Sequence, residues 1–165
     1  MKLVIRPETP GDAADIRAVT EAAFRGRPYS DGSEPAIVDR LRRDGDLALS
    51  LVAEDDGRIV GHIAFSPVTI GDGAKGWYGL GPVSVLPERQ GRGIGAQLIQ
   101  RGLVEMRQRG AAGIVLLGNP EFYRRFGFAH DPALRYAGGP PEYFQRLVLR
   151  GDAPAGSVAY APAFG

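Results

Sequence analysis

Three glycines lie within a seven-residue segment in the middle of the chain, directly ahead of a stretch with helical spacing of its apolar residues. The segment consists of Gln90, Gly91, Arg92, Gly93, Ile94, Gly95 and Ala96. The first turn of a helix has backbone N–H groups without partners and the positive end of the helix dipole. Because glycine has no Cβ, such a loop can approach a phosphate closely. We therefore expect this glycine loop, residues 90–96, to bind a pyrophosphate, with Arg89 and Arg92 adding positive charge.

Glycine loops of other kinds have a similar composition. One alternative is a turn that only lets a strand and a helix pack closely, and the loop by itself does not exclude it. In a dinucleotide-binding domain the loop follows the first strand, and an acidic residue comes roughly 20 residues later. Here several strands precede the loop, and the next strand ends in Leu117-Gly118-Asn119. The absence of Gly-Lys-Ser/Thr excludes a Walker loop.

The elements around the glycine loop indicate a mixed α+β domain. Thr9, Pro10 and Asp12 have the order of a helix cap, first position and capping-box acid. Asp55-Asp56-Gly57 predicts a hairpin turn, because glycine accepts the positive φ of tight turns. The predicted strands cover residues 2–6, 47–54, 58–68, 77–85, 114–117 and 143–149, and the predicted helices begin at Thr9, Glu34, the glycine loop and Pro120.

The order of strand, helix and strand around the glycine loop predicts a parallel crossover. The helix ends at Gly110, and residues 114–117 form a continuous apolar strand of the kind buried in parallel sheets. Pro82 interrupts the preceding strand and marks an edge, a bulge or a break in pairing, since proline lacks the N–H donor. We expect one domain over residues 1–165, with a partly ordered tail after Gly151.

Composition excludes several kinds of function. The chain has 165 residues, a net charge of +1 and no cysteine, which excludes disulfides, thiolate metal sites and a cysteine nucleophile. Two separated histidines, His62 and His130, make no metal pattern, so no metal is expected. The near-zero charge does not indicate a nucleic-acid partner. Without a signal peptide or a membrane-spanning run, we expect a cytoplasmic protein with no membrane partner.

Two motifs in the correct order resemble the GNAT family of N-acetyltransferases. Val83-Ser84-Val85 and the glycine loop are similar to the family's coenzyme A signature, Gln/Arg-x-x-Gly-x-Gly/Ala after a strand. Downstream, Tyr123 to Phe128 is similar to the second signature, Tyr-x-x-x-Gly-Phe after a short helix. Leu80-Gly81-Pro82 and the segment 140–144 resemble a bacterial branch of predicted N-acetyltransferases. The resemblance implies a central, mixed and mostly antiparallel sheet flanked by helices.

The resemblance also implies how acetyl-CoA is bound. Val83, Ser84 and Val85 would bind the pantetheine arm through backbone groups freed at a bulge, and the glycine loop would hold the pyrophosphate. Asn119 would contact the pantetheine from the neighbouring strand. A backbone N–H near Ser84 or Val85 would stabilise the tetrahedral oxyanion.

Tyr123 matches the position from which family members protonate the departing thiolate. A phenol with a pKa of about 10 is still protonated at neutral pH and can donate to sulfur. The alternative is an aromatic core residue beside Phe122 and Phe126.

The general base has several candidates, and each has a structural alternative. Glu34 begins a helix near the expected acceptor site, but it also suits the first turn of any helix. His62 lies on a central strand and could instead be a buried structural residue. The weaker candidates are Ser66 and Ser84, acting through water, together with Glu142 and Tyr143 at the start of the last strand.

The sequence therefore predicts an enzyme that moves the acetyl group of acetyl-CoA to a primary amine by direct attack. The acceptor is expected to be a small molecule or a peptide, and the protein a monomer or homodimer. An alternative is a non-catalytic acyl-CoA-binding or sensor domain, and a third is a nucleotide-binding module. The loops expected to select the acceptor, residues 26–34 and 71–76, carry no decisive chemistry.

Overall fold

The computed structural model describes residues 2–165, which form the mixed α+β fold that the sequence predicted. The helices are α1 (Ala13–Phe24), α2 (Glu34–Asp44), α3 (Ile94–Gln108) and α4 (Pro120–Tyr123). The strands are β1 (Leu3–Pro7), β2 (Leu49–Asp55), β3 (Arg58–Pro67), β4 (Thr69–Ile70), β5 (Trp77–Val85), β6 (Gly113–Leu117), β7 (Ala129–His130), β8 (Leu134–Arg135), β9 (Phe144–Val148) and β10 (Gly156–Ala159).

Local signals in the sequence position the first helix and the first hairpin. The Asp12 carboxylate accepts a hydrogen bond of 2.7 Å from the Thr9 N–H, which is one half of the predicted capping box. Between β2 and β3, Asp56 and Gly57 have φ values of 50° and 83°. These left-handed conformations allow the tight turn that the sequence predicted.

The central sheet has the order β1-β2-β3-β5-β6-β9-β7. Neighbouring strands are antiparallel except for β5 and β6, which α3 connects as a parallel crossover. The crossover places the start of α3 at the carboxyl end of β5. The predicted crossover at the glycine loop is therefore confirmed.

Helices cover both faces of the central strands. On one face, α3 lies so close that a Cβ at Gly102 would come within 2.5 Å of the Phe65 ring, and a Cβ at Gly61 within 3.1 Å of Leu98. β3 is buried along both faces, and α1 also contacts β3 and β5, so α1 covers the face opposite α3. Glycines at these contacts let helix and sheet approach each other, which fixes α3 against the end of β5.

The tail differs from the prediction. Residues after Gly151 were expected to be partly ordered, but β10 pairs with β4 and β8 in a second, three-stranded sheet. Val158 and Ala161 are buried, and the Tyr160 ring lies where a Cβ at Gly79 would come within 2.5 Å of it. The abundant small residues of the tail suit close packing here, since a Cβ at Gly156 would come within 3.1 Å of the Gly71 backbone.

We predict that Tyr160→Ala lowers the free energy of unfolding by about 3 kcal/mol, because it removes a ring packed between Tyr136, Phe164 and Gly79. Tyr160→Phe is the matched control and should change it by less than about 1 kcal/mol, since no described residue is hydrogen bonded to the hydroxyl. Urea unfolding measures both. An unchanged stability in Tyr160→Ala would mean that the tail contributes little to the fold.

Candidate functional site

Strands β5 and β6 separate after a short paired segment. Trp77, Tyr78 and Gly79 pair with Gly113–Val115, and no further residues of the two strands are paired. β6 nevertheless stays paired with β9 through Leu117. On its other side β5 remains paired with β3, with a register shift between Ile63 and Phe65 opposite the Gly81–Pro82 segment. One edge of β5 beyond Gly81 therefore faces an opening between the two strands.

Backbone groups of Val83 and Val85 face this opening. The Leu86 N–H donates to the Val60 carbonyl on β3 at 2.9 Å. Because successive residues of a strand point their backbone groups to opposite edges, the N–H groups of Val83 and Val85 point away from β3. The Ser84 N–H points toward β3, and its side chain is buried. Of the two donors considered from sequence, Ser84 and Val85, only the Val85 amide is directed into the opening.

The glycine loop lies at the end of this opened strand. Gly91 and Gly93 have φ values of 77° and 79°, which favour glycine, and α3 begins at Ile94. The first backbone bond into the helix runs from the Gln97 N–H to the Gly93 carbonyl at 3.0 Å. The amides that precede Gln97 in the first turn thus have no partner within the helix. Gly95 and Ala96 are half-buried in that turn, while Gln90, Gly91, Arg92 and Gly93 are exposed.

The charges near the glycine loop differ from the prediction. Arg89 is paired with Asp55 at the end of β2, so its charge is neutralised. Arg92 is exposed and makes no ion pair with any residue in 2–165. The sequence did not indicate Arg27, which donates to the Gln90 side chain at 3.3 Å.

Gln90 connects the loop to β5. Its side-chain amide donates to the Val85 carbonyl at 3.1 Å, while its oxygen accepts from Arg27. The side chain thus fixes the end of the open strand relative to the first turn of α3 and to the segment that follows α1. A residue with both a donor and an acceptor is needed for this arrangement.

Asn119 and Tyr123 lie beyond the carboxyl end of β6, on the other side of the opening. The Asn119 side chain caps α4 by accepting from the Glu121 N–H at 2.9 Å. The Tyr123 ring lies against Gly118, where a Cβ would come within 2.5 Å of it, and packs edge-on against Phe122 and Phe128. Burial raises the pKa of the Tyr123 phenol to about 12, which keeps it protonated. No described residue is hydrogen bonded to its hydroxyl.

The base candidates are spread over different parts of the molecule. Glu34 accepts a hydrogen bond of 2.6 Å from Ser30 at the start of α2. His62 is fully buried on β3, next to β5. Ser66 is buried opposite Gly79, before the opening, and Glu142 and Tyr143 lie in the exposed turn ahead of β9. Of these, His62 is the titratable side chain beside the residues that line the open edge.

The described residues, 2–165, lack the features of two other kinds of site. These residues contain no cluster of histidine, aspartate or glutamate positioned to bind a metal ion. No helix among them is long and apolar enough to span a membrane.

The two loop positions Gly93 and Gly95 should respond differently to alanine. Gly93→Ala places a Cβ at a φ of 79° and should lower the free energy of unfolding by about 1–2 kcal/mol. In Gly95→Ala the new Cβ meets Val85 at an ordinary 3.8 Å, and the helical position favours alanine, so stability should hold or rise by up to about 1 kcal/mol. Urea unfolding measures both, and equal losses would contradict the assigned backbone conformation.

The chain is similar to several known proteins in sequence and in fold. Residues 14–128 match the Acetyltransferase (GNAT) family, which is more than half of the chain. The chain is also similar to the uncharacterized N-acetyltransferase YhbS of Escherichia coli strain K12. The two are 38% identical over 156 residues, which covers 92% of this chain and 90% of that protein.

Two solved structures have the same fold at substantial sequence identity. A GNAT family acetyltransferase from Brucella melitensis, in complex with acetyl-CoA, is 56% identical, with a TM-score of 0.89 and 99% of each chain covered. YhbS from Escherichia coli, in complex with CoA, is 35% identical, with a TM-score of 0.91 and coverage of 99% of this chain and 92% of that chain. These matches confirm the family predicted from the two motifs: the chain belongs to the GNAT family of acetyltransferases.

Proposed function

We propose that this GNAT N-acetyltransferase uses the opening between β5 and β6 to transfer the acetyl group of acetyl-CoA to an amine. The observation that carries the proposal is the placement of two structural elements end to end. An unpaired strand edge runs directly into a glycine loop at the start of a helix. Coenzyme A has the matching parts, an extended amide-containing arm followed by a pyrophosphate. The complexes of the two similar acetyltransferases with acetyl-CoA and CoA support this assignment.

The proposed cofactor contacts follow from the free backbone groups. The pantetheine arm would pair with the open edge of β5 at Val83 and Val85, with Ser84 between them held by β3. The pyrophosphate would accept hydrogen bonds from the first-turn amides of the glycine loop, residues 90–96, and interact with the free charge of Arg92. Asn119 would contact the arm from the β6 side, where its amide nitrogen is not used in capping.

The proposed reaction is direct attack by a neutral amine on the thioester carbonyl. The carbon–nitrogen bond forms, and negative charge develops on the carbonyl oxygen. The Val83 N–H is the proposed donor to that oxygen, because it points into the opening and needs no rearrangement to bind it. Val85 lies too close to the glycine loop for this role, since a Cβ at Gly95 would meet its side chain at 3.8 Å. The carbon–sulfur bond then breaks, and coenzyme A leaves as a thiolate.

Tyr123 is the proposed acid for the departing thiolate. Its phenol is protonated at neutral pH, and it lies against Gly118 just after the strand that borders the opening. Donation to sulfur prevents a free thiolate from attacking the product and reversing the step. The contact with Gly118 holds the ring without a hydrogen bond to its hydroxyl, so the hydroxyl is available to the cofactor.

The acceptor is proposed to be an amine of a small molecule or a peptide. We predict that the protein releases free coenzyme A thiol from acetyl-CoA when an amine from a panel of polyamines, amino acids, peptides and aminoglycosides is added. A thiol-reactive dye measures the release. Thermal stabilisation by acetyl-CoA without release from any amine would instead indicate a non-catalytic acyl-CoA-binding domain, and stronger stabilisation by NAD a nucleotide-binding module.

Tyr123→Phe should lower kcat by roughly 100-fold, because general acid catalysis is lost while the ring is retained. Thermal stabilisation by coenzyme A should be unchanged, and the free energy of unfolding should move by less than about 0.5 kcal/mol. Tyr136→Phe is the matched control, since Tyr136 packs against Phe144 and Tyr160 on the tail side of the sheet. Full turnover in Tyr123→Phe would remove Tyr123 from the mechanism.

A further inference from the structure

A line of hydrogen-bonded polar side chains runs from the surface to His62 on β3. Arg42 on α2 forms a two-pronged ion pair with Glu8, with nitrogen–oxygen distances of 2.9 Å and 3.0 Å. The Ser50 hydroxyl donates to Glu8, and the Ser50 oxygen lies 2.8 Å from Nε2 of His62. Glu8, Arg42 and Ser50 border a pocket at the protein surface, so the outer end of the line is near solvent.

This line fixes the tautomer of His62. Burial acts to raise the pKa of Glu8, but hydrogen bonds from Arg42 and Ser50 together hold it below its ordinary value. Glu8 is therefore an anion and can only accept. The single proton of the Ser50 hydroxyl is therefore directed to Glu8. Ser50 can then only accept from His62, which requires that Nε2 of the ring carries the hydrogen. Nδ1 is left with a free lone pair.

Two buried polar atoms on the neighbouring strands β3 and β5 lack partners. Nδ1 of His62 has no hydrogen-bond partner within residues 2–165, and neither has the Ser84 hydroxyl, although both residues are fully buried. His62 and Ser84 are directly paired across β3 and β5. The backbone bond between Leu86 and Val60, two residues along, makes this a hydrogen-bonded pair, with Cα atoms about 5.5 Å apart and side chains on the same face. A rotation of the Ser84 side chain can therefore bring the two groups together.

We propose that His62 accepts the proton of the attacking amine through the Ser84 hydroxyl, with Ser50 and Glu8 as positioning residues that hold its tautomer. The inference rests on the proposed function, which locates the reacting carbonyl at the Val83 amide, next to Ser84. A buried histidine with only a structural role does not need the bonds from Arg42 and from Ser50 to Glu8 that hold its tautomer. A structural role is satisfied by the Ser50 contact alone and leaves the pair of free groups unexplained.

The step balances without a further reactant. The amine nitrogen bonds to the carbonyl carbon, the ammonium proton passes to Ser84, and the Ser84 proton passes to Nδ1 of His62. The resulting imidazolium donates from Nε2 to Ser50, which in turn donates to the Glu8 anion. The two electrons of the carbon–sulfur bond leave with sulfur, and Tyr123 supplies a proton to this thiolate. The His62 imidazolium then loses a proton to solvent and the Tyr123 phenolate regains one, which restores the starting state.

The surroundings keep His62 neutral before the reaction. Burial lowers the pKa of His62 to about 4, with Glu8 acting to raise it and Arg42 acting to lower it. The buried face of α1 consists of the uncharged residues Ile16, Val19, Thr20 and Ala23, and the facing residue on β5 is Ser84. The lone pair is thus available throughout the neutral pH range.

Nitrogen-15 NMR of the full-length protein tests the tautomer directly. The chain has two histidines, so His130→Gln assigns the signals. We expect Nε2–H and a bare Nδ1 for His62 between about pH 6 and pH 8. Ser50→Ala should give a mixture of both His62 tautomers, whereas Ser50→Thr should keep the single tautomer because it retains the hydroxyl. Thr20→Val is the control and should leave the His62 tautomer unchanged. An Nδ1–H tautomer in the unaltered protein would overturn the inference, whatever its activity.

The rate of thiol release tests the proposed roles of His62 and Ser84 in proton transfer. The substrates are acetyl-CoA and the amine of the panel that gives the fastest release. Ser84→Ala and His62→Gln should each lower kcat at least 100-fold. Ser50→Ala should lower kcat about 10-fold and change the KM for acetyl-CoA less than twofold. Ser50→Thr should recover the kcat of the unaltered protein. Thr20→Val is again the control. An unchanged kcat in Ser84→Ala and His62→Gln would overturn this inference and leave the proposed function standing. If the unaltered protein releases no coenzyme A thiol, the proposed function itself is contradicted.

Discussion

The pairing between β5 and β6 ends after three residue pairs, and the arrangement of the candidate site depends on where it ends. A fully paired β5 would have no backbone groups left for a ligand. Because β3 and β9 continue to pair with these strands on their outer sides, the opening does not weaken the sheet as a whole. The unpaired edge is thus held rigidly in place, which lets it bind an extended ligand as an additional strand would bind.

Helix α3 completes this arrangement through close packing. Gly61 and Gly102 let the helix approach β3, with Leu98 and Phe65 filling the contact, so the first turn of α3 is fixed at the end of the open strand. Gln90 adds a polar link between the two by bonding the Val85 carbonyl. The pyrophosphate and the thioester of one cofactor are far apart along its length. In the proposed complex, the fixed distance between the glycine loop and the Val83 amide lets a single bound molecule reach both.

Buried polar side chains lie on β5 and on its neighbour β3. Ser84 and His62 are buried without mutual hydrogen bonds, while Glu8, Ser50 and Arg42 are fully engaged. An unpaired buried polar group is costly. The inferred proton transfer would give both groups a partner during the reaction. The tail packs near this region, since Tyr160 covers Gly79, the last residue of β5 that pairs with β6.

The sequence alone was sufficient for the family, the fold class and the glycine loop, because these depend on local patterns. Positive φ requires glycine at Gly91 and Gly93, and the apolar spacing predicts α3 whatever it packs against. The position of Tyr123 in a short helix after β6 also followed from a local motif. The tail was judged wrongly from composition, because small residues in a disordered segment and in a closely packed one look alike.

Only the tertiary structure decided which groups meet. Ser50 and His62 are 12 positions apart, and Glu8 and Ser50 are 42 apart, so no spacing in the sequence indicates their hydrogen bonds. The neutralisation of Arg89 by Asp55 and the direction of the Val85 amide likewise depend on strand register. Register is set by the packing of many side chains at once. A linear pattern can therefore identify the strands, but it cannot determine which side chains lie opposite one another.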